Sequence, residues 1–136
     1  MRDPFRLDGR TVIVTGASRG IGAEVARQVS DRGGSVVLVA RTEAALATTV
    51  KTLSGPSAHV VGDVGDTLTA AEAIEAADRL GDLWGLVNNA GINPYYHPVT
   101  ETPLAEWDEV FRVNVLGAAA FARAAGLRLV ELGRGG

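Results

Sequence analysis

The residues with the clearest chemical potential are the glycines of Thr15-Gly16-Ala17-Ser18-Arg19-Gly20-Ile21-Gly22. Gly16 lets a chain turn sharply, Gly20 lets backbone approach a bulky anion, and Gly22 permits close packing beneath a helix. A helix starting here would point free N–H groups at a phosphate or pyrophosphate. Turn geometry alone also produces glycine clusters, so the loop gains meaning only from its context. Two arginines stand where a charged ligand would be gripped: Arg19 inside the loop, and Arg41 beyond it. A carboxylate about 20 residues past such a loop chelates ribose hydroxyls, whereas guanidinium groups bind a phosphate through forked, charge-assisted hydrogen bonds. The alternative is that both are ordinary surface arginines, in a chain whose thirteen basic residues include Lys51 as the only lysine. Asp63, Asn88-Asn89-Ala90-Gly91 and Asn114 complete the polar set, and Tyr95, Tyr96, His97 and His59 could also move protons.

The hydrophobic pattern says how these groups are positioned. Thr11-Val12-Ile13-Val14 reads as a strand buried on both faces. Ile21, Val25, Ala26 and Val29 then predict a one-faced helix ending at Gly33-Gly34. Val36 to Val39 is a second strand, and Thr42 an N-cap for a helix burying Leu46, Val50 and Leu53, which Gly55-Pro56 ends. Ala58 to Val61 predicts a third strand, Asp66 to Leu80 a helix with a capping box at Thr69-Ala70-Ala71-Glu72, and Leu83 to Val87 a fourth strand. After the loop from Asn88 to Glu101, Thr102-Pro103 opens a last helix running to Leu132. Strands alternating with helices predict an α/β fold, a parallel sheet with helices on both faces. The glycine loop then joins a buried strand to an amphipathic helix, the context of a dinucleotide-binding fingerprint. Asn88 to Gly91 falls at the carboxyl end of the fourth strand, beside the first, where open sheets bind ligands.

The spacing G-x-x-x-G-x-G is wider than that of the standard dinucleotide loop, and it resembles the short-chain dehydrogenase/reductase family, whose opening is T-G-x-x-x-G-I-G. Leu7-x-Gly9-Arg10, Asp63-Val64, Asn88-Asn89-Ala90-Gly91 and Asn114 follow in the family's order and spacing, so the resemblance covers the whole chain. It implies a Rossmann-type doubly wound parallel sheet of strand order 3-2-1-4. It also implies cofactor binding by Gly16, Ala17, Ser18, Arg19, Gly20, Ile21, Gly22, Arg41, Asp63, Val64, Asn89, Ala90 and Gly91. Asp63 would accept from the adenine amino group, or serve only as a strand-end turn residue, and Val64 would line the adenine pocket. For Asn88 a structural role stands beside a binding one. Asn114 matches a family asparagine that opens its helix and holds a water in the proton relay to the catalytic lysine; the alternative is an amide satisfied by backbone. Trp84 stands where many relatives carry Asp, which bears on strand packing more than on chemistry. The loop Ile92 to Val99 is expected on the substrate side, its aromatics touching an apolar substrate or packing the loop itself. The family does not use a residue at His97 as a base, and His59 is expected to be structural.

The resemblance implies hydride transfer between a nicotinamide cofactor and a small carbonyl or alcohol substrate. Arg41, in place of an acidic residue, points to NADP(H) rather than NAD(H). Reduction of a ketone is expected, a 3-oxoacyl thioester among the candidates, as in 3-oxoacyl-[acyl-carrier-protein] reductases. The rivals are an NAD(H)-dependent alcohol dehydrogenase and a nucleotide-binding fragment or pseudoenzyme without turnover. The family's catalytic Tyr-x-x-x-Lys is absent: Val99 and Thr100 lie four residues past Tyr95 and Tyr96, and Ala47 four before Lys51. The serine-bearing fifth strand is absent too, so residues 1–136 are expected to be the N-terminal part of the NADP(H)-binding domain, incomplete at the C-terminus and inactive alone. Its fourth strand would be left as an apolar edge. A homo-oligomer, dimer or tetramer, is expected of the complete protein. Composition narrows the rest. A net charge of −3 with interspersed signs argues against nucleic acid, and absence of cysteine excludes disulfides and thiolate metal sites. No metal site is expected. The run Val113 to Ala122 reads as too short for a membrane span, and no signal segment precedes the first strand, so a cytoplasmic location is expected.

Overall fold

The computed structural model of the chain describes residues 3–133. Strands β1 (Thr11–Thr15), β2 (Ser35–Ala40), β3 (Ser57–Val61) and β4 (Leu83–Val87) alternate with helices α1 (Gly20–Asp31), α2 (Glu43–Val50) and α3 (Thr67–Leu80). α4 (Leu104–Phe111) then runs through a π-helical segment, Arg112–Gly117, into α5 (Ala118–Leu132). All pairings are parallel, as the alternating pattern implies, and the sheet order is β3-β2-β1-β4, as the resemblance implies.

Alternate side chains of each central strand enter opposite cores. Ile13, Val37 and Val39 pack with Ala73 and Ala77 of α3 and Phe121 of α5. Val12, Val14, Val36 and Leu38 pack with Ala26 and Val29 of α1 and Leu46 of α2. Both faces of β1 and β2 are thus covered, which is why those strands read as unbroken β-branched runs. The registers Thr15↔Val39 and Val14↔Val87 bring the carboxyl ends of β1, β2 and β4 to one edge. Along β4 the register slips between Thr11 and Val12, past Trp84, whose ring lies 3.8 Å beneath the Arg10 guanidinium. Trp84 also packs against the core formed with α1 and α2.

Several expected element ends move. α3 is capped not by the Thr69–Glu72 box but by Asp66, whose carboxylate accepts from the Leu68 N–H at 3.0 Å, while Thr69 is buried. Thr42 occupies the α2 N-cap without a side-chain cap bond, and Leu53 lies beyond that helix although it still packs on the core. Pro103 is the N-cap of α4 rather than its first helical residue. Ile21 is not part of the buried face of α1; it is 76% exposed. The helical run Leu104–Leu132 is long and apolar enough, by length and composition, to cross a bilayer, which the shorter Val113–Ala122 stretch did not suggest. Its Val113, Phe121 and Ala125 are buried in the sheet's core. Arg134 to Gly136, where the incomplete end was expected, lies outside the described residues.

The cap assignment is testable. Asp66→Ala should destabilise the chain by about 1 kcal/mol in urea unfolding, whereas Glu72→Ala should stay within about 0.5 kcal/mol. Equal losses would restore the capping box.

Candidate functional site

At the carboxyl edge of the sheet a cleft of about 470 Å³ opens between the glycine loop and the ends of β2 and β4. Gly16 and Gly20 adopt φ of +65° and +56°, the left-handed region that favours glycine. Gly22 is needed for space, since a Cβ there would lie 2.2 Å from the Gly16 carbonyl oxygen. No acidic residue stands in the first turn of α1 and no side chain caps it, an arrangement that leaves the positive end of the helix dipole uncompensated beside the cleft. Ser18, Arg19, Gly20 and Ile21 line the cleft, while Ala17 is buried beneath it, its N–H donating to the Val39 carbonyl at 3.2 Å. On the opposite wall stand Arg41, Thr42 and Ala45. The lining includes two arginines and no acidic side chain.

The β1 and β4 ends are tied through Thr15. Its buried hydroxyl accepts the N–H groups of Asn89 at 3.1 Å and Ala90 at 3.0 Å. In return the Asn89 amide donates to the Thr15 and Gly16 carbonyls at 3.1 and 3.2 Å. Asn89, Ala90 and Gly91 are thereby held along the cleft wall. Asn88 turns away and donates to the Ala118 carbonyl at 3.0 Å, the structural side of its two readings.

Gly62 and Val64 line the far end of the cleft, and Val64 is nearly buried. Asp63 between them turns aside. One carboxylate oxygen accepts the Gly65 N–H at 2.8 Å, and the other the Arg112 guanidinium at 2.9 Å. The Arg112 hydrogen bond holds the Asp63 carboxyl below its ordinary range; Gly65 and the charges of Arg112 and Arg41 act the same way, against desolvation. Asn114 sits in the π-helical segment, where its amide makes a reciprocal pair with the backbone of Ile92: the oxygen accepts at 2.7 Å and the nitrogen donates at 2.8 Å. That clasp fixes the strand-end loop beside Gly91.

The loop that follows is bound to α4 rather than lying free. The half-buried Tyr95 donates to Glu109, which pushes its phenol pKa up, and His97 lies 3.6 Å from Glu106. Tyr96 is fully out in solvent, and His59 stands exposed 4.0 Å from Glu43. Among the described residues no three metal-ligating side chains cluster. Sequence reasoning missed Thr15, Ile92 and Arg112. Thr15 was read only as the first residue of the glycine loop, and Arg112 reaches Asp63 across 49 positions with no local signal.

The sequence profile of the short chain dehydrogenase family matches residues 10–136. A galactitol 2-dehydrogenase (L-tagatose-forming) of Cereibacter sphaeroides is 38% identical over 135 residues, which cover 98% of this chain and 53% of that protein. A metagenomic short-chain oxidoreductase, solved in complex with NADP, superposes with a TM-score of 0.87 at 33% identity, covering 95% of this chain and 60% of its own. A 3-oxoacyl-[acyl-carrier protein] reductase from Brucella melitensis with bound NAD gives 0.86 at 33% identity, covering 96% and 53%. The chain spans about half the length of the curated relatives it matches.

Two outcomes follow from the geometry. Thr15→Val leaves two N–H groups without their acceptor and should destabilise by about 2 kcal/mol, with Thr15→Ser restoring most of it; a loss within about 0.5 kcal/mol would show the tie to be dispensable. The second concerns pH. Asp63 titrates lower when folded than unfolded, so its pairing stabilises above the unfolded value of about 3.9, and is lost as pH falls through the folded value. The stability gap between the wild type and Arg112→Gln should therefore be present at neutral pH and close in acid; a gap independent of pH would exclude this linkage.

Proposed function

The chain belongs to the short-chain dehydrogenase/reductase family, and from that premise we propose that residues 1–136 are the N-terminal, NADP(H)-binding part of an enzyme that reduces a small-molecule ketone. The observation that carries the cofactor choice is the cleft lining, with Arg19 and Arg41 and no carboxylate. A carboxylate there would repel a 2′-phosphate, whereas two guanidinium groups complement its charge. Solved relatives hold either NADP or NAD, so the choice rests on this chain's own residues.

The space at the glycine loop supports a dinucleotide. Gly16 and Gly22 stand where any Cβ would meet backbone, and Gly20, where a Cβ would meet nothing, leaves its space to the ligand. In this reading the N–H groups at the start of α1 hold the pyrophosphate, with Ser18, Gly20 and Ile21 around it. Asp63 accepts from the adenine amino group and Val64 packs against the ring. Asn89, Ala90 and Gly91 border the nicotinamide ribose. The bound cofactor supplies the hydride.

Asn114 is assigned to the proton relay. Ile92 uses one acceptor and one donor position of its amide, which leaves another of each for a water. The sequence holds no Tyr-x-x-x-Lys pair, so these residues alone are expected to bind nucleotide without turnover. For the complete protein we propose a carbonyl substrate, a 3-oxoacyl thioester being the leading class, and a cytoplasmic homo-oligomer. Exposed Leu116, Leu127 and Val130 are apolar surface that assembly could cover.

Titration of NADPH and NADH by fluorescence tests the reading. The wild type should prefer NADPH, and Arg41→Asp should weaken NADPH about tenfold or more while sparing NADH. Preference for NADH would favour the rival, an NAD(H)-dependent alcohol dehydrogenase.

A further inference from the structure

Arg112 belongs to the π-helical segment, yet its guanidinium reaches across the turn after β3 to the Asp63 carboxylate. The reach depends on Gly65, where an added Cβ would lie 2.0 Å from Arg112 Nη1. A second close contact seats the same segment on the same turn, since a Cβ on Gly117 would come 2.8 Å from the Val64 carbonyl oxygen. Asp63 is thus gripped from two sides, by Arg112 on one oxygen and the Gly65 N–H on the other. Each oxygen keeps a lone pair for a further donor. Stability alone gives little reason for this arrangement. The two side chains are 43% and 33% exposed, and ion pairs so close to solvent contribute little. What the pair achieves is orientation: an acceptor-only group with a fixed direction in the turn between Gly62 and Val64, the two residues that line the far end of the cleft.

We propose that Arg112 is a positioning residue for recognition of the base: by fixing Asp63 it makes the site select a purine bearing an amino group over one bearing a carbonyl at the same position. This rests on the assignment of the cleft to a dinucleotide with its adenine at Asp63. An ionised carboxylate accepts from an exocyclic amino group and repels a carbonyl oxygen in its place. A carboxylate released from Arg112 keeps only the Gly65 N–H on one oxygen, and the other oxygen loses its fixed direction and with it the discrimination. The charged groups around the pair are Arg41 on the Asp63 side and Asp66 and Glu109 on the Arg112 side.

The test is binding of NADPH and of its nicotinamide hypoxanthine counterpart to the 136-residue chain, by fluorescence titration, with folding checked by circular dichroism. The wild type should prefer NADPH about tenfold. Arg112→Gln should bring the ratio close to one by weakening NADPH, with the hypoxanthine form bound no more weakly than by the wild type. Gly65→Ala keeps the guanidinium but displaces it, so it should do the same and serves if the first variant does not fold. Arg112→Lys should recover part of the preference. A folded Arg112→Gln or Gly65→Ala that retains the full ratio overturns the inference. So does a wild type that binds both nucleotides equally, an outcome that leaves the dinucleotide reading intact. A wild type that binds neither removes that reading, and this inference with it.

Discussion

The contact on which the site depends is the tie between Thr15 and Asn89. Parallel strands end together at one edge of a sheet, but their last residues have no ladder partners and would splay into solvent. Here the Thr15 hydroxyl takes two N–H groups from the end of β4, and the Asn89 amide returns two hydrogen bonds to the end of β1. The same amide nitrogen would lie 2.6 Å from a Cβ on Gly22 and 2.9 Å from one on Gly16. Loop, helix and strand end therefore converge on one small polar knot. Its geometry sets how close the α1 N-terminus can come to the cleft, and it excludes any side chain larger than hydrogen at two of the loop's three glycines.

The opposite wall follows different physics. Ala40 ends β2 fully covered, and the next side chain, Arg41, is the first free to point into solvent. Short side chains dominate the lining from Gly62 to Gly91, so a ligand meets backbone and a few charges rather than an apolar pocket. Such a surface offers little hydrophobic gain. Affinity there must come from hydrogen bonds at the helix start and from arginine on phosphate, which places the burden of specificity on a handful of polar groups.

The parallel strands and the glycine loop were legible in the sequence because both depend on local pattern, whereas the strand order and the cleft residues after β3 and β4 came from the family resemblance. β-branched runs mark strands buried on two faces, and a glycine that must adopt positive φ leaves its signature in residue type. Helix ends were less legible. Asp66 and the Thr69–Glu72 box are both plausible caps by composition, and the start of the helix at Thr67, with the Asp66 carboxylate on the Leu68 N–H, decides between them. Ile21 misled for a similar reason: helical spacing places it with Val25 and Val29, but the cleft removes the surface it would have packed against. Contacts between distant segments left no trace in residue spacing. Arg112 looks like any arginine on an amphipathic helix until the fold sets it against Asp63.

That distant contact explains why the long helix is interrupted where it is. A uniform α-helix from Leu104 to Leu132 would carry its polar residues around at a constant 3.6 per turn. The π-helical segment shifts the phase between α4 and α5, and Val113 within it and Phe121 beyond it both reach the core. Within it, Asn114 clasps Ile92 at one end of the cleft while Arg112 holds Asp63 at the other. A π-helical turn is less favourable than α-helix and tends to occur at functional sites. Here its tertiary contacts supply the compensation: the pairing of the Asn114 amide with the Ile92 backbone, and the seating of Gly117 on Val64. One irregular turn on the outer layer thus supports both the loop after β3 and the loop after β4, which the sheet alone would leave independent.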